Sequence, residues 1–92
     1  MATVIIPTPL RKFTREKSSF ETNSKTVIDA LKEIGLKHPG IKPHLLSENS
    51  SIRPFINIFV DDVDIRGLDN ESTSLKENSV VALIPAIAGG KA

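Results

Sequence analysis

Residues 79–90 have the sequence SVVALIPAIAGG, and the dipeptide Lys91-Ala92 follows them. The first half is aliphatic and ends at Pro85, a pattern that predicts a strand stopping at this proline. The second half consists of small residues and ends in Gly89-Gly90, which have no Cβ and therefore fit a narrow channel. Because an isolated glycine pair near a terminus is most often a frayed end, the pair gains meaning only from the strand before it.

The length and composition of the chain indicate one soluble globular domain of 92 residues. Hydrophobic residues make up 39% and charged residues 25%, which is usual for such domains. A formal net charge of +1 gives no electrostatic reason to expect nucleic acid or an anionic membrane as partner. The chain has no cysteine, so any thiol must come from another protein. The absence of a basic leader or a long apolar segment after Met1 predicts a cytoplasmic protein.

Apolar periodicity predicts an α+β fold. The strongest strand lies at 53–60, where Ile56, Ile58 and Val60 alternate with other side chains. The predicted order begins with a strand at 3–6, a polar basic connection at 8–17, a strand at 18–22 and a helix at 25–37 capped by Ser24. A helical turn within 41–48 then places Leu45 and Leu46 in the core. The order ends with strands at 53–60 and 63–65, a polar loop at 67–78 anchored by Leu68 and Leu75, and the strand at 79–85. We expect a mixed sheet packed on one main helix.

The sequence contains no pattern that predicts a metal site or a catalytic centre. The acidic run 61–64 is interpreted as a hydrated turn, because Arg66 stands where a calcium loop needs an oxygen ligand. His38 and His44 have no thiol or suitably spaced carboxylate near them. The chain has no glycine-rich phosphate loop and no defensible Ser-His-Asp set. We therefore predict that it is not an enzyme.

Two surface features indicate possible contacts with partners. Phe55 and Phe59 point away from the helix if Ile56 and Ile58 point toward it, and an exposed aromatic pair indicates a binding patch. The alternative, cover by loop residues such as Leu45 or Ile52, remains open at this point. The second feature is a group of cations, interpreted as a solvated loop because the chain has neither Tyr nor Trp for stacking on bases: Arg11, Lys12, Arg15 and Lys17.

The chain resembles the ubiquitin-like sulfur-carrier family over essentially its whole length. This family includes the small subunit of molybdopterin synthase, the thiamine-pathway carrier and a carrier for cysteine synthesis. The most specific likeness is residues 79–90, and residues 53–66 are most similar to the cysteine-route type. The resemblance implies a β-grasp domain at 1–86 and a flexible tail at 87–92.

In this family the terminal glycine carboxylate is the reacting group, which here implies Gly90 with Gly89 as its conformational partner. An activating enzyme adenylates the carboxylate with ATP, and sulfur then replaces the adenylate to give a thiocarboxylate. A biosynthetic enzyme accepts that sulfur, and the carrier itself binds no cofactor. The expected partner-binding residues are those of the outer strand face and the linker: Phe55, Phe59, Ile84, Ile87 and Ala88.

The chain departs from the family pattern in the dipeptide after Gly90. An internal Gly90 carbonyl is an amide and cannot be adenylated, so we expect a processing metalloprotease to cut between Gly90 and Lys91. The alternatives are that the protein does not act through its terminus, or that Lys91-Ala92 are foreign to it. Two other functions also stay open: a ubiquitin-like modifier joined through Gly90 to target lysines, and an interaction domain with an inert tail. The pathway that receives the sulfur is not predicted.

Overall fold

The computed structural model describes residues 1–49, 51–53 and 56–85. Within these residues, five strands form one mixed sheet in the order β2-β1-β5-β3-β4. The strands are β1 (Ala2–Ile5), β2 (Ser19–Thr22), β3 (Ile56–Val60), β4 (Val63–Asp64) and β5 (Val80–Pro85). This arrangement over one main helix is the predicted β-grasp architecture, and the order of elements agrees with the order expected from the sequence.

The last strand, β5, lies at the centre of the sheet. It pairs in parallel with β1, where Ile5 is opposite Ala82, and antiparallel with β3, where Ile56 is opposite Pro85. Both neighbouring strands are far from β5 in sequence, and β5 is paired with them along both of its edges. The described chain ends at Pro85, in the middle of the sheet, and residues 86–92 continue from that point.

Two α-helices cover one face of the sheet in the described ranges: α1 (Val27–Lys37) and the short α2 (Lys42–Leu45). The face of α1 that meets the sheet is apolar, and Leu31 and Ile34 on that face are fully buried. No helix in the described part of the chain has both the length and the apolar character needed to cross a bilayer.

The start of α1 differs from the prediction. Thr26 caps the helix, and its Oγ1 accepts a hydrogen bond from the Asp29 amide at 3.3 Å. The helix therefore begins at Val27, two residues after the predicted start, and the assignment of Ser24 as the cap was wrong. The physical reason is that the Ser24 hydroxyl donates to the Glu33 carboxylate at 3.1 Å, which ties Ser24 to the side of the helix.

The core lies between the helices and the inner face of the sheet. The predicted alternation in β3 is confirmed, because Ile56, Ile58 and Val60 are all buried. Leu45 and Leu46 also reach the core as predicted. The main buried side chains of this core are Val4, Ile6, Val27, Ala30, Leu31, Ile34, Ile41, Leu45, Ile58, Val81 and Leu83.

The connection between β1 and β2 is more ordered than predicted. Residues Thr8–Phe13 form a 3-10 helix, and its Leu10 side chain is buried in the core. The Phe13 ring stacks on His44 with 4.5 Å between ring centroids. The burial of Leu10 was not predicted, because a single aliphatic residue in a charged segment gives no periodic signal.

The loops at the opposite end follow the sequence in part. Asp61 and Asp62 form the two-residue turn between β3 and β4, and both have the positive φ angles that such turns require, 51° and 72°. In the loop that follows, Leu75 is buried as expected. Leu68 is 43% exposed, so its assignment as a core anchor was wrong.

Candidate functional site

Most of the predicted reacting segment lies outside the described residues. The predicted site residues outside the described ranges keep their roles as predictions: Phe55, Ile87, Ala88, Gly89, Gly90 and Lys91. The predicted boundary between the domain at 1–86 and the tail at 87–92 also lies outside. The described part of the site is the sheet surface from which this segment continues.

Phe59 and Ile84 lie on the outer face of the sheet, the side opposite the helices. Ile84 pairs with Asn57 in the register of β3 and β5, and Phe59 pairs with Ala82. Phe59 and Ile84 are therefore diagonal neighbours, a spacing of about 7–8 Å that large side chains span. Ile84 is 47% exposed and Phe59 is half-buried. The structure thus brings together the two predicted docking residues that it describes.

The same face exposes further apolar side chains that the sequence analysis missed. Ile5 is 37% exposed and Val80 is 43% exposed. We call the set the apolar outer strip and define it as Ile5, Phe59, Val80, Ala82 and Ile84. The signal for Val80 was present, since the prediction of Ile84 on the outer face also places residues 80 and 82 of the same strand on that face. Ile5 had no such signal, because β1 is aliphatic on both faces.

Charged and polar side chains border the strip along β3 and β4. Arg66 Nη2 lies 2.7 Å from Asp64 Oδ2 and donates to Asn57 Oδ1 at 3.3 Å. The Arg66 hydrogen bonds hold the pKa of the Asp64 carboxyl at about 2, below its ordinary value of 3.8. Arg66 is 70% exposed, so the pair forms a polar rim and not a buried ion pair.

The loop residues that the open alternative named as cover for the aromatic pair lie on the side of the sheet opposite Phe59. Leu45 is part of the buried core, and Ile52 packs against that core. The strip therefore has no helix or loop layer over it in the described part of the chain. An uncovered apolar patch with a polar rim is typical of a protein-binding surface.

The strip is well placed for docking and poorly equipped for catalysis. It carries aliphatic and aromatic side chains, which bind surfaces but neither transfer protons nor attack substrates. Among the described residues, no three His, Asp or Glu side chains are grouped to hold a metal ion. Ile84 is next to Pro85, so the strip lies beside the end of the described strand that precedes the glycine pair in sequence.

Comparison with known families gives a match over nearly the whole chain. The sequence profile of the ThiS family matches residues 4–90. The matched range includes the folded body and both glycines, and it stops immediately before Lys91.

Individual relatives agree with this match. The chain is 31% identical over 90 residues to the sulfur carrier protein CysO of Mycobacterium tuberculosis, covering 96% of this chain and 97% of the relative. A crystal structure of the BexX/CysO complex of Amycolatopsis orientalis contains a similar chain, with a TM-score of 0.88, 34% identity, and coverage of 98% and 100%. The small archaeal modifier protein 1 of Methanosarcina acetivorans has a TM-score of 0.84 and 25% identity, with coverage of 97% and 95%.

Proposed function

This chain belongs to the ThiS family of ubiquitin-like sulfur carriers, and we propose that it carries sulfur as a thiocarboxylate on Gly90. The observation that carries this proposal is the range of the family match, residues 4–90. A match that spans the domain and includes the glycine pair supports action through the terminus. A match to the folded body alone would fit an interaction domain equally well.

The proposed chemistry needs a free carboxylate at Gly90. The carboxylate oxygen attacks the α-phosphorus of ATP in the activating enzyme, pyrophosphate leaves, and a mixed anhydride with AMP forms. A hydrosulfide-type nucleophile then attacks the carbonyl carbon and displaces AMP, leaving the thiocarboxylate. The carrier contributes the unhindered glycine terminus and no catalytic group, so the cofactor requirement, ATP, belongs to the activating enzyme.

Processing precedes activation in this proposal. A metalloprotease hydrolyses the peptide bond between Gly90 and Lys91 and releases the dipeptide Lys91-Ala92. The match that stops at Gly90 supports this cut site. Because the route depends on ATP and on soluble enzymes, we place it in the cytoplasm.

The apolar outer strip is the proposed docking surface for the activating and sulfur-accepting enzymes, together with Phe55, Ile87 and Ala88. Within the part of the chain that the structure describes, Ile84 and Val80 supply exposed apolar area. The CysO-like neighbour from Amycolatopsis orientalis was crystallised in complex with BexX, which supports the use of this kind of chain as a docking module. The sulfur-accepting enzyme determines the pathway, and cysteine synthesis is the proposed destination because of the likeness to CysO.

The proposal is tested by reconstitution with the activating enzyme of the same genome, ATP and hydrosulfide. A chain ending at Gly90 is expected to gain about 16 Da, the difference between sulfur and oxygen, while the chain ending in Lys91-Ala92 gains nothing. A truncated chain carrying Gly90→Ala is the matched control for the terminal residue. The proposal is contradicted if the uncut chain gains the same mass as the chain ending at Gly90, or if no chain gains mass.

The competing function is protein modification through an isopeptide bond from Gly90 to lysines. The similarity to small archaeal modifier protein 1 favours keeping this candidate. Conjugation predicts higher-mass adducts that survive reductant, whereas sulfur transfer predicts a single carrier species with the small mass gain. Denaturing gels and intact mass on the same cell extract separate the two functions.

A further inference from the structure

The strand β2 forms one edge of the sheet. The Ile6 amide donates to the Ser18 carbonyl at 2.9 Å, so residue 18 points its backbone groups toward β1. Backbone direction alternates along an antiparallel strand. The amides and carbonyls of Ser19 and Glu21 therefore point outward, away from β1. An edge of this kind is a template for pairing with another extended chain.

A groove runs beside this edge, between β2 and the carboxyl end of α1. Its volume is about 580 Å³, and Phe20, Lys37 and His38 line it. Phe20 is half-buried and meets the His38 ring edge-on, with 6.1 Å between centroids. The groove thus offers an apolar surface directly next to the outward-pointing backbone of β2.

The rim of the groove is basic. Arg15, Lys17 and Lys37 line it and are exposed. In the described ranges, the ion pairs within 4.0 Å involve other residues, so these three cations have no carboxylate partner there. The acidic side chain that also lines the groove is Glu21. The local charge of the groove is therefore positive, which favours an anionic ligand.

The loop that carries two of these cations is held in place. Thr14 is 1% exposed, and its hydroxyl lies 3.1 Å from the Arg11 carbonyl and 3.0 Å from the Lys17 carbonyl. Arg15 and Glu16 both have left-handed backbone conformations, with φ of 58° and 65°. Such conformations cost about 1 kcal/mol or more per residue and persist only where surrounding contacts fix them. The cations are therefore presented by a preorganised turn.

We propose that the groove binds an extended peptide segment of a partner protein, with acidic and apolar residues, which adds as a further strand to the edge of β2. Main-chain hydrogen bonds to Ser19 and Glu21 supply the pairing, the surface around Phe20 accepts an apolar side chain, and the cations attract carboxylates. A nucleic acid fits less well, because Phe20 is the aromatic side chain at the groove and base stacking uses several.

The groove is separate from the apolar outer strip. Two strand spacings, from β2 through β1 to β5, lie between it and the origin of the Gly90 segment. A peptide in the groove therefore does not lie on the strand from which this segment continues. The inference does not rest on the proposed sulfur chemistry, because peptide binding is measured without activation.

The test is an amide NMR titration of the full chain with acetyl-Asp-Val-Ile-Val-Asp-Glu-Asp-amide. We expect saturable shifts at Phe20, Lys37 and His38, and slower solvent exchange of the Ser19 and Glu21 amides as they become hydrogen-bonded. The same peptide N-methylated at alternate residues keeps its charge but cannot pair as a strand, and it is expected to lose at least about ten-fold in affinity. Raising the salt concentration is expected to weaken binding of the unmodified peptide.

Charge-matched variants complete the test. The double variant R15E/K37E is expected to weaken peptide binding by roughly ten-fold or more, since it replaces attraction by repulsion. The control K25E/K76E changes the net charge equally at exposed positions away from the groove and is expected to bind like the wild type. Thermal melts confirm that both variants fold.

Three results overturn the proposal. The first is the absence of saturable shifts at β2 with millimolar peptide. The second is equal binding of the N-methylated peptide, which shows a charge effect without strand addition. The third is tighter binding of a single-stranded oligonucleotide than of the peptide at the same residues, which identifies the groove as a nucleic-acid surface.

Discussion

The two faces of the same sheet differ in what they do for the protein. In β5, Val81 is fully buried and Leu83 is 3% exposed, whereas Val80 and Ile84 are 43% and 47% exposed. These four residues have similar aliphatic side chains and belong to the same strand. Their roles differ because successive residues of a strand point to opposite faces. The inner face stabilises the domain, and the outer face keeps apolar area available for a partner.

The open face has a structural cause. A two-layer domain buries one face of its sheet against its helices, and a second layer is needed to cover the other. In the described part of the chain, α1 and α2 both lie on the inner side. The apolar outer strip therefore has no covering layer among the described residues, and the polar rim at Asp64 and Arg66 limits its extent.

The largest difference in the free energy of unfolding between the two faces is expected when an aspartate is introduced on each face in turn. Leu83→Asp buries a charge in the core and is expected to lower the free energy of unfolding by about 4 kcal/mol or more, enough to prevent folding of a small domain. Ile84→Asp, at the next residue, is expected to change it by less than about 1 kcal/mol. Urea unfolding of both variants checks the comparison, and comparable losses would show that the outer face is also part of the core.

The docking role of the outer face is tested by the same Ile84→Asp substitution in a chain ending at Gly90. A charge in an apolar contact is expected to raise the apparent KM for activation about 10- to 100-fold, with kcat little changed. Leu36→Asp is the matched control, because Leu36 is 79% exposed on α1, far from the strip. A KM that responds equally to both substitutions, or to neither, contradicts docking through the strip.

A milder pair of substitutions compares the contributions of the two faces to stability without adding charge. Val81→Ala removes two buried methyl groups and leaves space in the core, so a loss of roughly 2 kcal/mol in unfolding free energy is expected. Val80→Ala is expected to change it by less than about 0.5 kcal/mol. The measurement is chemical denaturation of both variants at one pH. The account fails here if Val80→Ala is the more destabilising of the two.

The smallest expected effect on stability comes from the polar rim at Asp64 and Arg66. The pKa of Asp64 is about 2 in the folded chain because Arg66 donates hydrogen bonds to it. A lowered folded-state pKa adds stability that is present above the ordinary value near 4 and is lost as the pH falls through about 2. We expect Asp64→Asn to flatten this part of the urea-midpoint profile slightly, since exposed ion pairs contribute little. An unchanged acid profile would show that Arg66 does not stabilise the folded carboxylate.

The sequence predicted the inner face of the sheet better than the outer face. Alternation at Ile56, Ile58 and Val60 located the core side of β3 because burial imposes a strict period of two. It missed Ile5, since a strand with aliphatic residues on both faces shows no alternation. Leu68 was misplaced and Leu10 was missed for a related reason: a single leucine in a polar loop does not indicate on which side it packs.

The helix cap and the β2 groove depend on tertiary contacts that local patterns do not contain. Ser24 and Thr26 are both good capping residues, and the contact of Ser24 with Glu33 decides between them. The cations at 11–17 were visible in the sequence, but Lys37 and Phe20 join them only through the packing of α1 against β2. The reacting role of Gly90, in contrast, is implied by the family resemblance, lies outside the described residues and stays a prediction.

The most direct test of the central claim is the intact mass of the protein recovered from its native cells, measured with and without reductant. Sulfur carriage predicts a species that ends at Gly90, and a fraction of it heavier by about 16 Da. A population consisting only of the uncut chain ending in Lys91-Ala92 would contradict sulfur carriage through Gly90.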